Sequence, residues 1–296
     1  MAWNLSFISE EDFKNHVRAT IMKYSKKLES YDLKRFNSNL IDPIKLIFDK
    51  SMYRFSWEEI VNNEIFRQID KSNNNDIGYF HQKIFAYFEG CEVQQAGWDV
   101  IYKNPEGIQM PDGDIVHTLY VEMKNKHNTM NSTASVNTYI KMQGQILEED
   151  DCACLLVEAI AKKSQNIKWT AKVDGKNLQH RLIRRVSMDQ FYSILTGDPD
   201  AFYKMCMVLP GVIHAVVNEE ESVQVPHDTV VDELKRVAEI YTKQSEELAM
   251  AMAVYMLGFS TYLGFGDKMQ INFELDNKEG LLKRIYEYTK NLQELR

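Results

Sequence analysis

Gly97-Trp98-Asp99-Val100-Ile101-Tyr102 and, further on, Leu119-Tyr120-Val121-Glu122-Met123-Lys124 are the stretches on which the fold turns. Both are rich in aromatic and β-branched residues. Between them Asn104-Pro105-Glu106-Gly107 and Pro111-Asp112-Gly113 are turn chemistry, so a strand meander is expected. Strand residues two apart share a face, which makes Glu122 and Lys124 project together, and an antiparallel neighbour brings Asp99 beside them. Two carboxylates at one point repel unless a cation is bound, and an all-oxygen donor set of this kind suits Mg²⁺ or Mn²⁺. Such an ion polarises a phosphoryl oxygen and acidifies water, while Lys124 orients that water or offsets developing charge. The spacing points to metal-assisted phosphodiester hydrolysis. The Glu-x-Lys triplet alone is a weak signal, because a chain with 26% charged residues places such triplets on solvated strand faces by chance.

Upstream, the chain reads as helices. Ser9 and Asp12 form a capping-box pattern ahead of Phe13, Val17, Ile21, Tyr24 and Leu28; Asp42-Pro43 starts a short helix, and Ser56 with Glu59 caps another through Ile60, Ile65 and Ile69. The polar run Lys71-Ser72-Asn73-Asn74-Asn75 is expected to break the pattern, with Asp76 capping a further helix that carries Phe80, Ile84 and Phe88 and closes at Gly90. Downstream, a helix is expected over about 133–149 and a strand over 154–159, buried on both faces. A hairpin follows about Asp174-Gly175, and then a helix capped by Ser187 and Gln190 and ended by Gly197. From 228 the chain is helical again, with Leu234, Val237 and Tyr241 on one face and Leu282, Ile285 and Leu292 on another.

Composition bounds the class. The chain has 296 residues, 44% hydrophobic, with 35 Lys+Arg against 43 Asp+Glu. That is the balance of a soluble globular protein and excludes disorder, collagen and disulfide scaffolds. Cys91, Cys152, Cys154 and Cys206 contain no Cys-x-x-Cys pair and read as reduced thiols of a cytoplasmic protein. A net charge of −8 excludes a histone-like coat, yet residues 162–185 hold eight basic side chains and one acid, enough for a local phosphate-facing surface. The uncharged stretch 248–265 contains Gly258, Gly264, Ser260 and Thr261 and lacks flanking basic clusters, so a buried or interface helix is preferred to a membrane span. The organisation expected is an N-terminal helical region (1–75), an α/β core (76–217) and a C-terminal helical region (218–296), together one compact domain.

The order of helix, strand with Asp, strand, strand with Glu-x-Lys, helix and apolar strand resembles the PD-(D/E)XK nuclease core. VEMKNKHNTMNS at 121–132, with SNNNDIGYFHQ at 72–82, resembles the type II restriction endonucleases that recognise GGNCC, over residues 7–217. The resemblance implies a PD-(D/E)XK α/β fold, a mixed sheet with helical additions at both ends. It also implies Mg²⁺-dependent cleavage of double-stranded DNA and a host-protecting DNA methyltransferase. Asp99 and Glu122 then bind Mg²⁺, the carbonyl of Met123 is a further ligand, and Lys124 positions the attacking water.

Two departures stand out. Asp99 follows Trp98 rather than proline, and Asp112, in the true Pro-Asp pair, is a second candidate for the first acid; Asp99 is preferred because 111–113 reads as a tight turn. Gln82, in Gly78-Tyr79-Phe80-His81-Gln82, stands where many relatives carry an acid, and can hold a metal-bound water or lie on the helix surface as an ordinary amide. Lys126, His127 and Asn128, with Asn131 and Ser132, are candidate backbone contacts, and Arg181, Arg184 and Arg185 are candidate readers of guanine. A twofold DNA site implies a homodimer, with 248–265 as a candidate seam. The rival readings are a repair or junction-cutting nuclease of the same fold and a non-catalytic DNA-binding protein.

Overall fold

Local chemistry opens most helices where the sequence places them. In the computed structural model, which describes residues 3–28, 31–39, 41–127, 130–173, 175–219 and 229–241, Ser9 Oγ accepts from the Asp12 N–H at the head of α1 (Glu10–Leu28). Asp32 caps α2 (Leu33–Asn37) and Asp42 caps α3 (Pro43–Tyr53). Ser56 and Glu59 bond each other's backbone N–H groups at the start of α4 (Trp57–Lys83). The expected break at 71–75 is absent. α4 runs through it as one 27-residue helix and Asp76, rather than capping a new helix, is buried within it. An asparagine costs a helix less than about 1 kcal/mol, and burial of Ile60, Val61 and Ile65 toward one end and Phe80 toward the other outweighs it.

A 3₁₀ turn (Ile84–Tyr87) then leads to β1 (Cys91–Val93), β2 (Val100–Gln109) and β3 (Ile115–Lys126). The expected turn at 104–107 is a bulge instead: β2 continues through it, the register shifts between Lys103 and Ile108, and Gly107 adopts φ 87°. The turn at 111–113 forms, with the Gly113 N–H donating to the Met110 carbonyl at 3.0 Å. α5 (Ser132–Glu148), β4 (Cys152–Ile160), β5 (Asn166–Val173), β6 (Lys176–Ser187), α6 (Met188–Thr196), α7 (Ala201–Glu219) and α8 (Val230–Tyr241) follow. Ser187 precedes α6 without capping it through its side chain, because its hydroxyl is held by the backbone of Gln165. α7 carries Pro210 and is not foreseen from the sequence. It is long and apolar enough by composition to cross a membrane, but Ala201, Met205, Val212 and Val216 pack one of its faces into the core.

The strands form one mixed sheet, ordered β1-β2-β3-β4-β6-β5, with β3, β4 and β6 parallel and the outer pairs antiparallel. β4 lies at the centre and is buried from Cys152 to Glu158, as a parallel strand covered on both faces should be. Period two sorts the side chains. Leu119, Val121, Leu155 and Val157 join the core that holds α1, α6 and α7, while Ile101, Cys154, Leu156 and Ile183 pack with Tyr139 and Met142 of α5.

The chain divides into two compact units, Met1–Tyr24 with Asn73–Val223 and Ser25–Ser72 with Gln224–Arg296, where the sequence suggests one domain cut near 75 and 217. The first contains the sheet. The second has its own apolar cluster, in which Tyr31, Phe36, Leu46, Trp57, Ile60, Val61 and Ile65 enclose Val230 and Leu234 of α8. Residues 248–265 and the stripe Leu282, Ile285 and Leu292 lie outside the described residues, as do the side chains of Val237 and Tyr241.

Candidate active site

β2 and β3 pair with Val100 opposite Val121, and continuing that register one residue sets Asp99 opposite Glu122. The Asp99 N–H donates to the Val121 carbonyl at 3.0 Å, and its carboxylate is fixed at both oxygens. Oδ2 accepts from the Met123 N–H at 2.7 Å and Oδ1 from Gln82 Nε2 at 2.9 Å, the latter reaching in from α4. Glu122 and Lys124 emerge on the same face and touch: Lys124 Nζ donates to Glu122 Oε1 at 2.9 Å. The other oxygen of Glu122 accepts from Lys141 Nζ on α5 at 3.0 Å. The strand spacing thus brings Asp99, Glu122, Met123 and Lys124 together, and α4 adds Gln82. Asp112 is placed elsewhere, in the β2–β3 turn, paired with Lys168 and Arg184, which hold its carboxyl below the usual carboxylate range.

The two central acids titrate in opposite directions. Burial raises the Asp99 carboxyl, reinforced by the Glu122 charge and opposed by the Met123 N–H and the two lysines. Burial acts the same way on Glu122, but hydrogen bonds from Lys124 and Lys141 outweigh it and leave that carboxyl lowered. Asp99, Met123, Lys124 and Asn125 border a cavity of 430 Å³ whose other wall is the face of α4 that carries Asn74, Asn75, Gly78, Tyr79, His81 and Gln82. Asn74 and Asn75, from the polar run expected to break a helix, therefore line the site.

Among the described residues there is no group of three or more His, Cys, Asp or Glu side chains able to hold an ion. Two carboxylates with a neighbouring backbone carbonyl suit Mg²⁺, which keeps several waters and uses one or two protein acids. Each carboxylate oxygen already accepts one hydrogen bond and retains further lone-pair capacity. Asn125 Oδ1, buried beside Lys124 without a hydrogen-bond partner, is a further oxygen awaiting a donor.

A second cavity, of 240 Å³, adjoins the other side of Lys124 and is bordered by Lys126, Asn131, Ser132, Glu158 and Arg185. Asn131 Oδ1 is taken by the Ala134 N–H as the cap of α5, and Asn128 lies outside the described residues. His127 and Arg185 both meet Glu158, whose side chain is almost wholly buried opposite Lys124 in the β3–β4 register. Arg181 is exposed and pairs with Asp114. The expectation that Arg184 reads bases is not met. Its guanidinium is 3% exposed and is consumed by Asp112, Asn166 and the Arg181 carbonyl. Sequence reasoning misses Lys141 and Glu158. Glu158 has a visible signal, being the one charge in the apolar run Cys152-Ala153-Cys154-Leu155-Leu156-Val157-Glu158-Ala159-Ile160; Lys141 has none.

A mixed sheet that sets two acids and a lysine beside a polar helix face defines a nuclease of the restriction-endonuclease class. Residues 5–218 match the Eco47II restriction endonuclease family. The chain is 31% identical over 214 residues to the type II restriction enzyme Sau96I of Staphylococcus aureus, covering 70% of this chain and 78% of that protein. It is 30% identical over 225 residues to the type II restriction enzyme Eco47II of Escherichia coli, covering 73% and 89%. The chain belongs to the Eco47II restriction endonuclease family: it is a type II restriction endonuclease, a site-specific deoxyribonuclease that acts on double-stranded DNA.

Proposed function

We propose that this restriction endonuclease cuts both strands of GGNCC in an Mg²⁺-dependent reaction at Asp99, Glu122 and Lys124, works as a homodimer in the cytoplasm, and is paired with a DNA methyltransferase that protects the same site. The observation that carries the catalytic part is the Asp99 carboxylate, pinned by Gln82 and the Met123 N–H opposite a Glu122 that Lys124 touches. Asp99, Glu122 and the Met123 carbonyl would hold the ion, whose contribution is to polarise the scissile phosphoryl group and acidify water. Lys124 orients the attacking water for in-line displacement and offsets charge as it develops, leaving a 5′-phosphate. Gln82 fixes the rotamer of Asp99 and adds no charge. Arg181, Arg185, Lys126, His127 and Ser132 supply the phosphate- and base-facing surface. The sequence GGNCC comes from the resemblance of segments 72–82 and 121–132 to that specificity class.

The test is plasmid digestion with Mg²⁺ or with EDTA, followed by sequencing of the fragment ends. Discrete fragments ending at GGNCC are expected, only with Mg²⁺. Glu122→Ala, Lys124→Ala and Asp99→Asn should each abolish cutting, whereas Asp112→Asn should keep it. Ends at an unrelated motif would remove the GGNCC assignment, and an active Asp99→Asn would remove the site assignment.

A further inference from the structure

Lys141 is a second ammonium on Glu122, the acid assigned above to the metal. It reaches Glu122 from α5, on the side opposite Lys124, so the two oxygens of Glu122 carry one ammonium each. The same Nζ donates to the Gly97 carbonyl at 2.7 Å and lies 3.9 Å from the centre of the Trp98 ring. Asp99 also feels its charge. The site therefore contains two carboxylates and two ammonium groups and is electrically balanced with no ion present. A divalent cation entering beside Glu122 meets two positive charges within a few ångströms, and such repulsion is strong where water is partly excluded.

We infer that Lys141 is a positioning residue that holds and neutralises Glu122 while the ion is absent, lowers the affinity of the site for divalent metal, and is displaced when the ion enters. Lys124 lies against Glu122 at one oxygen only, whereas Lys141 has a second resting place already formed. The Gly97 carbonyl and the electron-rich face of Trp98 keep an ammonium satisfied after it leaves the carboxylate. Its side chain is 36% exposed, so the movement needs no repacking. The inference rests on the metal site proposed above, and it predicts an effect of opposite sign to that of a structural prop. A prop that merely aimed Glu122 would, on removal, weaken metal binding.

The experiment titrates the full chain with Tb³⁺ in the absence of DNA, reading terbium emission sensitised by tryptophan, with Mg²⁺ as competitor. Lys141→Met should bind Tb³⁺ about tenfold more tightly than wild type, the size of losing one nearby like charge. Lys141→Arg, which keeps the charge, should match wild type. In wild type, Mg²⁺ should also alter Trp98 emission as the ammonium shifts on the ring, and Lys141→Met should lack that change. Asp99→Asn locates the ion: its loss of Tb³⁺ binding ties the signal to this site. Equal or weaker binding by Lys141→Met, with Asp99→Asn still abolishing the signal, overturns the inference and leaves the metal site standing. Tb³⁺ binding that is indifferent to Asp99 in every variant removes both.

Discussion

Arg184 and Arg185 are adjacent on β6, and a strand sends adjacent side chains to opposite faces. One becomes a structural tie and the other borders the second cavity at the site. Arg184→Ala should lower stability by about 2–4 kcal/mol, because a buried cationic donor with several partners is lost; the midpoint of a urea melt measures it. Arg181, with its side chain 57% exposed against Asp114, should behave in the opposite way. Arg181→Ala should leave the melt within about 1 kcal/mol of wild type and weaken DNA binding, most visibly in the salt dependence of the dissociation constant. A second residue-scale effect concerns His16, whose Nε2 donates to the Phe80 carbonyl at 2.9 Å. Burial lowers its pKa from 6.5 to about 4, and burial does the same to His81. The unfolded chain therefore binds protons that the folded chain refuses between these values. The contribution of these two histidines to stability is fully present above pH 6.5 and is lost as pH falls toward 4. Thermal melts across that window should show the loss, and His16→Gln should reduce it while His81 keeps its share; a variant curve parallel to wild type would exclude His16 as a source.

At the scale of elements, α4 shows what local reading reaches and where it stops. Caps and turns are legible because their bonds lie within a few residues: Ser56 with Glu59, the helix start at Asp42-Pro43, and the turn at 111–113 all form as the sequence suggests. The strand pair with Asp99 and Glu122 is legible for the same reason, period two being a local property. The continuity of α4 through 71–75 is not, since it is decided by burial at both ends of the helix rather than by the asparagines themselves. Lys141 and the capture of Arg184 by Asn166 and Asp112 are likewise settled by contacts between distant strands and helices. Gly78 joins the two levels. A Cβ built there meets nothing within 4 Å, so neither packing nor backbone conformation demands glycine, yet the residue borders the cavity with Asp99 and Lys124. Gly78→Ala should stabilise α4 by about 1 kcal/mol and still reduce cleavage or DNA affinity, as expected of a methyl added to the wall of the cavity beside Asp99 and Lys124. A variant that gains stability and cuts at the wild-type rate would show that DNA does not approach α4 at this residue.

For the whole molecule, the question is how one site serves two strands. Each chain offers one set of Asp99, Glu122 and Lys124, and a twofold DNA sequence presents two equivalent phosphates, so a symmetric pair of chains is the economical solution. Deleting the chain beyond Asn218 is a poor test of this, because it removes Val230 and Leu234 from the core formed with Trp57, Ile60 and Val61 and destabilises the second unit whatever the assembly state. A subunit-mixing experiment avoids the problem. Wild type mixed with excess Glu122→Ala should form hybrids with one competent site, and a hybrid cuts one strand: supercoiled plasmid should accumulate as nicked circles at the expense of linear product. Light scattering of the full chain, alone and on duplex DNA, should report twice the protomer mass in at least one state. If the mixture yields linear DNA in simple proportion to the wild type added, with no nicked excess, each chain cuts both strands by itself and the homodimer is wrong.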